Sequence, residues 1–211
     1  MKRGLFVALL ALALPMAAFA NSKNTIFVAF GGDSTLGGLG TGTGLFDTSS
    51  TLTGAMGFEA EGMMAGGNLG SLSFTTGALM SHSGATWTYA SGGTFSISGS
   101  GGGLPSGTLF TGTFDGPVTL TKIQLANGFF YQLSCETPAG SSNGCMITGT
   151  WANGKRASGD FILTTMPGKT GIIQYAAVTL QTSAVPEPGA LSLLGTGLLG
   201  LGIVVRRKLK A

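Results

Sequence analysis

The sequence predicts an all-β fold, an antiparallel β-sandwich or open barrel, with a β-solenoid as second choice. Three observations predict it. Apolar residues recur at every second position through one short segment after another, the pattern of strands with one buried face. Gly, Ser and Thr dominate, with 38 glycines in 211 residues and only 9% charged residues, which favours neither helix nor charge-driven disorder. Turn dipeptides, Asn127-Gly128 and Asn153-Gly154 above all, punctuate the apolar segments.

Taken in order, Thr25 to Phe30 reads as a strand, and the Gly/Thr-rich 37–44 that follows reads as loop. From Leu69 the alternation sharpens: Leu72 and Phe74, Trp87 and Tyr89, Phe95 and Ile97, then Phe110, Gly112 and Phe114. Gly92-Gly93 and Gly99 to Gly103 read as turns, where glycine supplies positive backbone angles. Val118 and Leu120 alternate in one phase and Ile123 and Leu125 in the other, which predicts a bulge near Lys122 if this is one strand. Tyr131, Leu133 and Cys135 form the next set, then Cys145, Ile147, Gly149 and Trp151, then Phe161 to Leu163 and Ile172 to Leu180. The expected total is nine or ten strands. Gly93-Thr94-Phe95 and Gly112-Thr113-Phe114 look like a repeat, but no fixed period runs through the chain, which places the solenoid second.

The two cysteines, Cys135 and Cys145, are expected to pair in an oxidising compartment, joining two strands that pair antiparallel and closing the loop that contains Pro138. A third metal ligand or a neighbouring histidine is missing, so a metal pair or catalytic thiol is disfavoured.

Both ends of the chain carry targeting features. Lys2 and Arg3, the apolar run Leu5 to Leu14, Pro15 and the small-residue pattern Ala18-Phe19-Ala20 make a secretory signal peptide over residues 1–20. Cleavage by signal peptidase after Ala20 would start the mature chain at Asn21. At the other end, Gly189 to Val205 is uncharged and is followed by Arg206, Arg207 and Lys208. As a helix this run covers roughly 25 Å, near the lower limit for crossing a bilayer. The basic cluster would remain cytoplasmic, leaving the body outside the inner membrane. Ahead of the run, Pro186 and Pro188 disfavour helix in the residues before them, so Val185, Pro186, Glu187 and Pro188 should be extended and accessible to a processing enzyme.

Pro-Glu-Pro, a short Gly- and Leu-rich apolar run and an Arg-rich end, in that order at the C-terminus of an exported chain, resemble the PEP-CTERM sorting signal. The resemblance is confined to 185–211 and leaves 21–184 as a secreted β domain. It implies processing by exosortase, a membrane-embedded, transpeptidase-like enzyme of Gram-negative bacteria that often make exopolysaccharide. An inner-membrane-anchored precursor would then pass to the cell surface or extracellular matrix. Ser192, Thr196 and Gly200 share one helical face, small enough to admit a second helix such as that of the enzyme.

Composition narrows what the body can do. Six of the eleven basic residues lie in the two targeting segments; residues 21–184 hold five Lys or Arg against seven Asp or Glu. A basic surface for nucleic acid is therefore not expected. His82, the single histidine, sits in Ser81-His82-Ser83-Gly84, which reads as a surface loop rather than a catalytic site. No Gly-x-Ser-x-Gly elbow occurs, and Gly168-Lys169-Thr170 lacks the earlier glycine of a phosphate-binding loop. Glu59 and Glu61 would share a strand face but read as a solvated edge, and Asp33 and Asp47 lack the ligand order of a calcium loop. No enzyme activity, metal or cofactor is expected. Two readings remain: a structural or interaction protein of the cell surface or matrix, and a carbohydrate-binding module for exopolysaccharide. The second requires Trp87, Tyr89, Tyr131 and Trp151 to stand exposed in a row, whereas their alternating positions point to core packing.

Overall fold

The computed structural model describes residues 24–31, 33–58, 62–135 and 145–182. Twelve strands form one antiparallel sheet: β1 (Asn24–Phe30), β2 (Phe46–Met56), β3 (Met63–Thr75), β4 (Leu79–Ser83), β5 (Thr86–Tyr89), β6 (Gly92–Gly99), β7 (Gly107–Phe114), β8 (Val118–Leu125), β9 (Gly128–Cys135), β10 (Cys145–Trp151), β11 (Arg156–Thr165) and β12 (Ile173–Thr182). Eight of them, in the order β10-β7-β6-β3-β2-β1-β12-β11, close into a barrel because β10 also pairs with β11, Cys145 opposite Phe161 through Thr150 opposite Arg156. The all-β antiparallel expectation is met, but the sheet is closed, neither a two-layer sandwich nor an open barrel. Closure removes two edges that would otherwise expose unpaired backbone.

The inward positions explain why the ring closes. Phe161 of β11 meets Phe95 of β6 and Phe74 of β3 at centroid distances of 5.1 and 5.2 Å, and Phe114 of β7 lies 6.1 Å away. All four rings are at most 2% exposed, so side chains from opposite walls fill the interior. At the seam the inward positions shrink instead: Gly112 of β7 faces Gly149 of β10, which faces Ala157 of β11. A Cβ on Gly149 would overlap the Thr111 carbonyl oxygen and stand 2.6 Å from the Gly112 Cα. Glycine there lets strands and rings approach closely. One barrel end is closed by Phe58, packed 5.9 Å from Phe27 and 5.8 Å from Trp151. Toward the other, buried Leu36 and Leu45 lie in a strap bridged to the barrel at Thr35–Ile172 and Gly37–Phe46.

The remaining four strands, β9-β8-β5-β4, extend from β11 beside the barrel. Here the expected direct pairing of the two cysteine strands is corrected. β9 pairs with β8 along its length and with β11 at Leu163 and Thr164, whereas β10 takes Arg156 to Phe161 of the same β11 edge. β8 runs without a register shift, so the expected bulge near Lys122 is absent; its apolar phase fades because the strand leaves the core after Leu120. His82 lies in β4 rather than in a loop, its ring stacked on Trp87 at 4.6 Å. Against the expected nine or ten strands, the described residues hold twelve.

Candidate functional site

The residues expected to direct sorting, Val185 to Pro188 and Arg206 to Lys208, lie outside the described residues, as do Ala18, Ala20 and Asn21 of the signal cleavage site and the expected membrane span. Among the described residues no helix is long and apolar enough to cross a membrane. Glu59 and Glu61 also fall outside them. What the structure places is the point from which the tail departs: β12 ends at Thr182, and its neighbour β1 starts at Asn24, which pairs with Gln181. Both chain ends therefore leave the same end of the barrel, the one closed by Phe58 and Trp151, whose indole N–H donates to Thr182 Oγ1 at 3.0 Å.

Cys145 is fully buried at the start of β10, opposite Phe161. Cys135 ends β9, two residues beyond Leu133, which pairs with Leu163 of β11. The strands that carry the two cysteines thus meet the same edge of β11 two residues apart, β9 at Leu163 and β10 at Phe161, though they do not pair with one another. The Cys135 side chain lies outside the described residues.

The aromatic row required for a sugar platform does not form. Tyr89 is 0% exposed, Tyr131 and Trp151 are 8%, and Trp87 packs edge-on to Tyr131 at 5.8 Å beneath His82. Burial pushes the Tyr89 phenol above its ordinary value of 10.0. Asp33 and Asp47 both accept from backbone N–H groups. Asp47, 2% exposed, accepts from the Ser34 hydroxyl and from the N–H groups of Ser49 and Ser50 at 3.3 Å each, holding the register shift in β2; Asp33 accepts from Thr51 N–H at 3.2 Å.

Sequence reasoning missed the division of the barrel's outer wall. Across β3, β6, β7 and β10 the outward positions form a hydroxyl row, Ser73–Ser96–Thr111–Thr150, with Thr75–Thr94 and Thr113–Thr148 beside it. Further along the same wall, Asp33, Thr51, Asn68, Ser71, Ser98 and Ser100 line an open polar depression of about 390 Å³. Around β1 the outward positions include apolar side chains, Met63–Met56–Ile26 in one row, Val28–Ala177–Ile162 in the next, and Phe30 stacked on Tyr175 at 4.9 Å, while the Ile26 row continues across β12 and β11 into Thr179 and Asp160. The signal for the hydroxyl rows was present in the sequence as the alternate phase of β3, β6, β7 and β10.

No curated protein and no solved structure matches the chain at a significant level. A protein-family comparison does match the tail, over residues 184–208. That segment begins two residues after β12 and contains the Pro-Glu-Pro sequence, the apolar run and the basic cluster, and the chain thereby carries the PEP-CTERM protein-sorting motif, the mark of an exported, membrane-anchored precursor processed by exosortase.

Proposed function

We propose that the protein is a structural or interaction component of the cell surface or extracellular matrix of a Gram-negative bacterium, released there from its membrane anchor by exosortase and without catalytic activity of its own. The sorting motif at residues 184–208 carries this reading. The body supports a non-enzymatic role through what its chemically capable residues are occupied with: His82 stacks on Trp87, Asp47 holds backbone, and the barrel interior is filled by rings rather than open to a ligand. In this reading signal peptidase cuts after Ala20, the Gly189 to Val205 run anchors the precursor, and the Cys135–Cys145 disulfide clamps the fork on β11 in the oxidising exterior. The carbohydrate-binding alternative loses its basis with the burial of Tyr89, Tyr131 and Trp151. Mass spectrometry of the mature protein from its native host tests the proposal. The expected species begins at Asn21 and has lost the residues after the Pro-Glu-Pro segment; a mature chain that retains Arg206 to Lys208 would overturn exosortase release.

A further inference from the structure

We infer that the turn between β10 and β11 is a contact for anionic phospholipid headgroups, made through Lys155 and Arg156 while the precursor is anchored. The inference rests on the anchored-precursor reading and adds to it which end of the folded body meets the bilayer.

The turn is held by its own hydrogen bonds. Gly154 N–H donates to the Trp151 carbonyl at 2.8 Å, Trp151 N–H to the Lys155 carbonyl at 2.9 Å, and Lys155 N–H to Asn153 Oδ1 at 3.1 Å. Arg156 opens β11 opposite Thr150, and the next residue, Ala157, is buried, so strand alternation turns Arg156 outward. Lys155 and Arg156 are both exposed, and neither has an ion-pair partner among the described residues. Two solvated cations on a turn are ordinary by themselves. Their place in this fold is what supplies a partner.

The first observation is position. Ala157 pairs with Thr182, the last residue of β12, and the Trp151 indole N–H donates to Thr182 Oγ1 at 3.0 Å. The basic turn therefore stands beside the point from which the tail departs. From Thr182 to Gly189, where the apolar run starts, seven steps reach at most about 25 Å. An anchored body cannot carry this turn far from the headgroups.

The second observation is the distribution of charge. Among the described residues, the strand ends and turns on the tail side carry Lys155 and Arg156 and no acidic side chain, whereas Asp47 near the start of β2 and Asp115 after β7 lie at the opposite end. Asp160, further along β11, is about 13 Å from Arg156 at the rise of a strand. The barrel thus turns a positive end to the side on which its anchor leaves, complementary to phosphate-bearing lipid. Each basic residue close to an anionic surface favours residence there roughly fivefold, and the contact weakens as salt screens it. Two charges suffice because the anchor supplies the proximity.

Lysine labelling of the full chain reads this contact, because the exposed Lys169, in the β11–β12 connection at the opposite end, is an internal reference in the same molecule. The chain is reconstituted in phosphatidylcholine vesicles with or without phosphatidylglycerol, and its anchoring is verified by flotation. A membrane-impermeant N-hydroxysuccinimide ester is then added and each lysine followed by mass spectrometry. Phosphatidylglycerol should slow the labelling of Lys155 relative to Lys169 about fivefold at low salt, and high salt should abolish the difference. Equal ratios in both kinds of floated vesicle overturn the headgroup contact and leave the anchor standing, whereas failure to float overturns the anchored-precursor reading. Slowing that is the same without phosphatidylglycerol, or that survives high salt, assigns Lys155 a cover other than lipid charge and overturns the inference.

Discussion

Replacing Phe161 with alanine tests whether the walls of the barrel meet across a filled interior. Phe161 is fully buried on β11; of its three ring partners, those of β3 and β6 lie across the closed ring and that of β7 lies two strands away, beyond β10. Truncation removes the apolar burial of the ring and leaves a cavity that three neighbouring phenylalanines cannot readily fill, which costs about 3 to 5 kcal/mol. For a domain of this size each kcal/mol lowers the melting temperature by about 2 to 4 °C, so Phe161→Ala should melt roughly 6 to 20 °C below the parent. Phe30→Ala is the matched control: a phenylalanine of the same sheet, 57% exposed, whose loss costs about 1 kcal/mol or less. Calorimetric melts of the three proteins under identical conditions give the comparison. If Phe161→Ala lowers the melting temperature by no more than Phe30→Ala, the ring cluster does not hold the barrel together and the packing argument is wrong.

Three further outcomes follow from the geometry. Gly149→Ala should destabilise by about 1 to 3 kcal/mol, because the added methyl meets backbone of β7 rather than a side chain that can swing away, and a urea midpoint equal to the parent's would contradict the tight seam. Non-reducing peptide mapping of exported protein should recover Cys135 joined to Cys145; the short loop predicts a loss of about 2 to 3 kcal/mol on reduction, and two free thiols would contradict the clamp on β11. The Tyr89 phenol is raised by burial above 10.0, so the folded state resists its ionisation: stability from this group is complete below pH 10 and falls as pH rises beyond it. Tyr89→Phe should therefore flatten the decline in melting temperature above pH 10, and an unchanged decline would show that other groups govern it.

The sequence was most legible where buried rings alternate with small polar residues. Phe95 and Ile97 announce β6, and Cys145, Ile147 and Trp151 announce β10, because each strand keeps one phase along its length. β2 was not read as a strand: its inward positions are Asp47, Ser50, Leu52 and Ala55, two of them polar, and register shifts break the period of two. β4 was missed for the opposite reason, since an outermost strand with only Leu79 partly covered has no alternation to display. Closure was out of reach of local pattern. Whether Cys145 opposes Cys135 or Phe161 depends on which strand claims the edge of β11, a competition between segments far apart in the chain. The tail was legible because its parts are contiguous: two prolines, an uncharged run and a basic end, with no tertiary partner needed to recognise them.

The most direct test of the account replaces Pro186, Glu187 and Pro188 with alanine in a host that has the sorting enzyme. The substitution leaves the Gly189 to Val205 run and its basic stop intact, so membrane insertion is preserved while the extended recognition segment is lost. Fractionation with C-terminal mass spectrometry should find the variant uncut in the inner membrane and the parent shortened and moved outward. If parent and variant both keep the residues after Gly189 and fractionate identically, the tail is an anchor alone and the account of exosortase sorting is contradicted.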